Sequence, residues 1–147
     1  TGVFSSVKIV QRKEDKLFYI DFVAGGDRCN GGLVKAWVDN KNIYTESSLT
    51  PYDIAAISDS LIGKEPTIKP YEYLDACASC CAGTVTAIEG KIISLRLNEE
   101  VYGESHANSS ESRHLCFGKL YADKLNKNKR EMDLEEAIKF SNVSANN

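Results

Sequence analysis

The sequence predicts an α+β fold in which an antiparallel sheet or partly closed barrel of about six strands carries helices on one side. Segments rich in alternating, β-branched or aromatic residues are joined in pairs by tight charged or glycine-containing turns, which is the pattern of β-hairpins. One or two helical segments lie between the two groups of strands, and another ends the chain. The length of 147 residues suits one domain, which we place at residues 1–140, followed by a frayed tail at 141–147.

The N-terminal part is predicted to form a β-hairpin from residues 7–10 and 17–23. The first segment alternates apolar and polar residues, the second is rich in aromatic and branched ones, and a charged turn separates them. A glycine-rich segment follows at residues 25–32. Because it lacks the Gly-Lys-Ser/Thr ending of a phosphate-binding loop, we interpret it as a structural turn.

A second pair of strands is predicted at residues 33–38 and 43–45. The Asp and Asn residues between them tolerate positive φ and therefore favour a tight turn. Trp37, the single tryptophan of the chain, lies in the first of these strands. We expect it to belong to the core rather than to a recognition surface.

The first helix is predicted to begin at Pro51. Thr50 can cap the free amides, Pro51 suits the first helical position, and Asp53 favours the positive end of the helix dipole. Apolar residues then recur on one helical face: Ile54, Ile57 and Leu61. Gly63 is expected to end this helix. After an irregular connection, a short helix over residues 71–82 is expected to carry a cluster of cysteines.

A second hairpin is predicted at residues 84–88 and 92–97, with a glycine turn between its strands. Residues 98–113 form a polar, acidic segment without periodicity, which indicates a long loop. A last strand is predicted at residues 116–121.

The chain is predicted to end in a helix at residues 134–140. Asp133 is the expected N-terminal cap, and Glu136 is expected to reach back to it as in a capping box. The residues beyond this helix form the predicted frayed tail.

Composition argues against several classes of function. The formal charge is −3 and the pI about 5.4, whereas a nucleic-acid-binding protein carries a surplus of Lys and Arg. No segment approaches the roughly 18 apolar residues that a helix needs to cross a bilayer. The chain contains neither a Gly-x-Ser-x-Gly elbow nor a His-Glu-x-x-His motif. We therefore assign no catalytic residue, metal or cofactor, and expect a protein that is not an enzyme.

The cysteines are the most informative residues of the chain, and we interpret them as disulfide-forming. There are five of them: Cys29, Cys77, Cys80, Cys81 and Cys116. We expect two bridges, which leave one thiol over, while the sequence does not determine the pairing. Because disulfides persist in oxidising environments, we expect a periplasmic or secreted protein.

Two alternatives stay open for these cysteines. Cys77 and Cys80 have the spacing of a zinc-ligand pair, and with Cys81 and His114 they could form the centre of a metal-dependent or thiol-dependent enzyme. A second ligand pair would need Cys116 with a histidine, at a spacing that fits no common zinc site. The other alternative is a cytosolic interaction domain whose reduced cysteines are small core residues.

Two short stretches carry a family resemblance. Residues 29–32 read Cys-Asn-Gly-Gly and open a strand, and residues 116–121 read Cys-Phe-Gly-Lys-Leu-Tyr. Together they resemble small bacterial envelope proteins with a disulfide-stapled antiparallel barrel, such as the periplasmic lysozyme inhibitors. The hallmark of those inhibitors is Ser-Gly-x-x-Tyr, a loop motif that enters the cleft of the enzyme. Gly118 and Tyr121 match it, whereas Phe117 replaces the serine. The resemblance implies an envelope protein that binds another protein.

These observations predict a binding protein, an inhibitor or immunity protein, that occludes a protein partner. An acidic chain suits a basic partner, because opposite electrostatic fields speed association. The long acidic loop is the expected binding element, since loops of this length are often functional. The residues expected to contact the partner are Glu99, Glu100, Tyr102 and Glu104, flanked by Tyr121.

Overall fold

The computed structural model describes residues 4–63, 81–98, 120, 122–124, 127 and 129–146. Its elements in chain order are β1 (Phe4–Lys13), β2 (Lys16–Asp27), β3 (Leu33–Asp39), β4 (Asn42–Leu49), α1 (Pro51–Ala55), α2 (Ile57–Leu61), β5 (Gly83–Ile88), β6 (Lys91–Leu97), β7 (Glu131–Asp133) and α3 (Leu134–Asn146). The predicted α+β class is confirmed, with two antiparallel sheets. The larger sheet has the order β3-β4-β5-β6-β7 and is open rather than closed into a barrel.

The predicted N-terminal hairpin is confirmed and is longer than expected. β1 pairs with β2 from Phe4 opposite Asp27 to Lys13 opposite Lys16. The connecting residues Glu14 and Asp15 both have positive φ, 49° and 61°, as a two-residue hairpin turn of the primed type requires. Two register shifts interrupt the pairing, so the hairpin is irregular in its middle.

Two further tight turns hold the larger sheet in register. Asn40 and Lys41 (φ 47° and 69°) join β3 to β4, and Glu89 and Gly90 (φ 48° and 81°) join β5 to β6. Both hairpins agree with the sequence prediction. The strand predicted at residues 116–121 does not extend to Leu120, which is helical and is the described residue of that segment. The last strand in the described residues is β7, which pairs with β6.

The first helix begins as predicted, and its cap is reciprocal. The amide of Asp53 donates to Thr50 Oγ1 (3.1 Å), and the amide of Thr50 donates to Asp53 Oδ2 (3.0 Å), which together make a capping box. The helix is interrupted at Ala56, so two short helices replace the predicted single one. Leu61 is 39% exposed and does not join the core, in contrast to the prediction for it.

The three helices cover one face of the larger sheet and form the core with it. Ile54, Ile57, Leu95 and Leu97 are the largest apolar side chains buried there. Trp37 lies outside this cluster and is half-buried, so its predicted place in the core is wrong. It belongs to the edge strand β3 and lies on the face of the larger sheet that the helices leave uncovered.

Asp133 caps the C-terminal helix as predicted, but the return bond from the Glu136 side chain that would complete a capping box is not formed, and the helix is longer than expected. The amide of Glu136 donates to Asp133 Oδ1 (2.9 Å). The helix continues to Asn146 where the sequence predicts a frayed tail after residue 140. Ser141 is fully buried. Its hydroxyl donates to the Ala55 carbonyl (2.7 Å) and accepts from the Ser58 amide (3.2 Å), and these bonds offset the cost of burying it. These polar contacts between helices are invisible to a search for apolar periodicity.

The glycine-rich segment is a structural turn, as predicted. Its backbone closes on itself, since the Gly32 amide donates to the Arg28 carbonyl (2.8 Å). A Cβ atom at Gly32 would overlap that same carbonyl, so the position requires glycine. The turn leads Cys29 into the interior, where it forms a disulfide with Cys81.

Candidate functional site

The outer half of the first hairpin is the most unusual surface of the described structure. Every residue from 10 to 21 is exposed, and we call this part the hairpin arm. Its apolar side chains are 50–69% exposed: Val10, Leu17, Phe18, Tyr19 and Ile20. The arm therefore contributes no residue to the core cluster of the described structure.

Both faces of the hairpin arm are apolar. In the pairing register, Val10 lies opposite Tyr19 and Gln11 lies opposite Phe18. Successive residues of a strand point to opposite faces, so Phe18 and Tyr19 present their rings on different sides. Neither side is thus the inner face of a sandwich in the described structure.

This arrangement is costly for a protein that stays alone in water. A two-stranded hairpin by itself is marginally stable, and adjoining exposed apolar side chains mark interaction sites. Burial of the exposed half to two thirds of Leu17, Phe18 and Ile20 contributes roughly 1–2 kcal/mol each when a partner removes them from water. The arm is consequently better suited to bind a partner than to stabilise the core.

The charges of the hairpin arm are balanced. Arg12, Lys13 and Lys16 stand against Glu14, Asp15 and Asp21. The Arg12 guanidinium and the Asp15 carboxylate form an ion pair of 2.7 Å across the turn, and both side chains are largely exposed. Since exposed pairs of this kind contribute little, the apolar side chains dominate what the arm can offer a partner.

The disulfide prediction is confirmed for one bridge. Cys29 and Cys81 are bonded, with their Cα atoms 4.8 Å apart and 52 positions apart in sequence. Such a bridge is compatible with an oxidising compartment. It also occupies the Cys81 sulfur, which the alternative of an enzyme centred on the cysteine cluster needs as a thiolate. Cys77, Cys80 and Cys116 lie outside the described residues, and no group of metal-ligating side chains occurs within the described ones.

The predicted partner-binding residues lie outside the described residues. They are Glu99, Glu100, Tyr102, Glu104 and Tyr121. Most of the short helix predicted at residues 71–82 also lies outside the described residues. Its last two residues, Cys81 and Ala82, are described and are not helical. The binding role of these side chains remains a prediction.

The hairpin arm itself was not predicted as a site, although one signal for it is present. Leu17-Phe18-Tyr19-Ile20 is an unbroken apolar run, which in a strand places apolar side chains on both faces. Such a run normally indicates a strand covered on both sides. Here the run is not covered in this way, because β2 pairs with β1 in a separate two-stranded sheet.

None of the helices in the described residues combines the length and the hydrophobicity that a bilayer-spanning helix needs. Comparison of the chain with protein-family models, with curated proteins and with solved structures gives no match.

Proposed function

We propose that this chain is a non-enzymatic binding protein of the periplasm or the secreted space, which acts as an inhibitor or immunity protein by occluding a protein partner. The observation that carries the proposal is the exposure of apolar side chains on both faces of the hairpin arm. The Cys29–Cys81 disulfide supports the proposed compartment.

The two-sided character of the hairpin arm favours insertion into a cleft. A flat surface covers one face of a hairpin and leaves the other in water. A cleft covers Phe18 on one side and Tyr19 on the other at the same time. Aromatic side chains that fill such a pocket are the residue type that most often dominates binding energy. An element that fills the cleft of an enzyme or toxin would occlude it.

The proposed partner is basic, and this part of the proposal depends on charges outside the arm. The chain carries a formal charge of −3, while the arm is balanced. We expect the acidic loop to guide the encounter and the arm to hold the complex. Exchange of Glu99, Glu100 and Glu104 for Gln is then expected to slow association and to flatten its dependence on ionic strength. An unchanged association rate constant would show that the loop does not take part in binding the partner.

The test of the proposed function compares two double variants of the full chain. Phe18→Ser/Tyr19→Ser removes the aromatic faces of the arm. Val34→Ser/Val38→Ser removes two apolar side chains of similar or greater exposure from β3 and serves as the control (53% and 70% exposed, against 50% and 61% for Phe18 and Tyr19). Immobilised wild type and both variants are incubated with the envelope and secreted fractions of the source, and the retained proteins are quantified by mass spectrometry. The retained protein is then purified for affinity measurement.

We expect one protein to be retained by the wild type and the control and to be lost with the arm variant. Its dissociation constant is expected to rise at least about 30-fold in that variant, because a hot-spot aromatic contributes about 2 kcal/mol or more. The free energy of unfolding of both variants is expected to stay within about 0.5 kcal/mol of the wild type, since the side chains are exposed. Equal retention by both variants contradicts the proposal. The proposal is also contradicted if the purified wild type forms a stable dimer and the arm variant is a monomer, because a second copy of the chain then covers the arm.

A further inference from the structure

The face of the larger sheet that the helices leave uncovered contains a groove of about 550 Å³. This volume lies within the range of roughly 300–1,000 Å³ that is typical of small-molecule sites. The groove crosses the strands from β3 to β7, and it is separate from the hairpin arm. The inference drawn from it does not depend on the proposed function.

Three residues with hydroxyl groups form the floor of the groove, and Ile93 adds an apolar side chain to its lining. Thr84 and Thr86 of β5 and Ser94 of β6 line it, with Thr86 directly opposite Ser94 in the register. No side-chain hydrogen bond joins these three hydroxyls to another residue that the structure describes. Each hydroxyl both donates and accepts, so the floor offers paired donors and acceptors to whatever lies on it.

An aromatic side chain forms one wall of the groove. Trp37 stacks on Tyr44 with ring centroids 5.2 Å apart and planes inclined by 13°. The Lys35 ammonium lies 4.8 Å from the centroid of the Trp37 ring, within the range of a cation–π contact. These two contacts cover the ring and hold the indole in place, so the part of it that lines the groove has a fixed position beside the polar floor.

The charges around the groove are already paired. Lys35 lies 3.4 Å from Glu46, and Arg96 lies 3.8 Å from Glu131. The remaining carboxylate in the lining belongs to Asp133, which caps α3. The described lining holds two cations, Lys35 and Arg96, against three carboxylates, so its charge disfavours a phosphate or a carboxylate ligand. The complementary ligand is neutral, rich in hydroxyl groups and apolar on one side.

We infer that the groove binds a neutral saccharide of two or three residues. The ring hydroxyls of such a ligand match the Thr84, Thr86 and Ser94 floor, and its C–H groups can pack against the part of the Trp37 side chain that lines the groove. The paired charges at the rim add strong donors and acceptors for further hydroxyls. An extended peptide fits less well, because peptides gain most of their affinity from main-chain bonds at a sheet edge rather than across a sheet face.

The single tryptophan makes the test direct, because all tryptophan emission of the chain comes from the wall of the groove. Maltotriose and tri-N-acetylchitotriose are titrated into the full chain while the emission of Trp37 is recorded. Triglycine and inorganic phosphate are the comparison ligands. Two variants are tested alongside: Ser94→Ala removes a floor hydroxyl, and Ser6→Ala removes one from β1, away from the groove.

We expect a saturable change of Trp37 emission with at least one saccharide and none with triglycine or phosphate. Ser94→Ala is expected to raise the dissociation constant about 3- to 10-fold, which corresponds to the loss of one hydrogen bond, and Ser6→Ala to leave it unchanged. The inference is overturned if no saccharide changes the emission, if triglycine or phosphate changes it as much, or if both variants have the same effect.

Discussion

At the scale of single residues, Thr50 determines where the first helix begins. Its side chain is fully buried, and its hydroxyl lies 2.7 Å from Asp53 Oδ2 while it also accepts from the Asp53 amide. Pro51 follows it at the first helical position, where the missing amide costs nothing. Local sequence alone specifies this arrangement, which is why the cap was predicted correctly.

We expect Thr50→Ala to lower the free energy of unfolding by about 1–2 kcal/mol, because the first-turn amide loses its acceptor and a buried polar group loses its partner. Thr50→Ser keeps the hydroxyl and is the matched control, with an expected loss below about 0.5 kcal/mol. Both values come from urea unfolding followed by circular dichroism. Similar losses for the two variants would show that the methyl group, not the hydrogen bonds, carries the effect.

At the scale of elements, the two sheets differ in what stabilises them. The larger sheet is covered by α1, α2 and α3 and contains buried Leu95 and Leu97. The hairpin arm has no such cover within the described structure and depends on its own pairing and turn. The turn residues Glu14 and Asp15 adopt positive φ without being glycine, which is uncommon for residues with a Cβ atom. The arm is thus the element whose stability is most sensitive to its turn.

We expect Glu14→Asn/Asp15→Gly to stabilise the arm locally, because Asn-Gly is the preferred pair for a turn with two positive φ angles. Amide hydrogen exchange at residues 8–20 is expected to slow, while the midpoint of global unfolding stays unchanged. Lys41→Gly (φ 69° in Lys41) is the comparison, since it relaxes the same kind of turn inside the larger sheet. That variant is expected to raise global stability instead. A global shift from the arm variant would mean that the arm unfolds together with the core.

The elements also show what the sequence could and could not reveal. Tight turns and helix caps are local, so both hairpins of the larger sheet and the start of α1 were predicted from a few residues each. β7 was missed because three residues, Glu-Met-Asp, are too short for a period and gain their strand character from β6. The place of Trp37 depends on which face of the larger sheet the helices cover, and the exposure of the hairpin arm depends on which sheet β1 and β2 join. Both are decided by distant parts of the chain and leave no local pattern.

At the scale of the whole molecule, the Cys29–Cys81 bridge ties the first half of the chain to the sheet that follows. The bond closes a loop of 52 positions, and the chain-entropy argument gives such a loop a stabilisation of about 4 kcal/mol. We expect Cys29→Ser/Cys81→Ser to lower the free energy of unfolding by about 2–5 kcal/mol. The reference is the wild-type protein under reducing conditions. If its free energy of unfolding falls further than that of the double variant, a second bridge is present.

The number of disulfide bridges in the purified protein tests the proposal of an oxidising compartment. The chain has five cysteines, so one bridge leaves three thiols and two bridges leave one. Adjacent cysteines such as Cys80 and Cys81 rarely bond to each other, and with Cys81 committed to Cys29, a second bridge would join two of Cys77, Cys80 and Cys116. We expect one free thiol per chain when unreduced protein is titrated with a thiol reagent under denaturing conditions. Three free thiols would mean that Cys29–Cys81 is the single bridge of the chain. Five would mean that no bridge forms, which contradicts the proposed oxidising compartment.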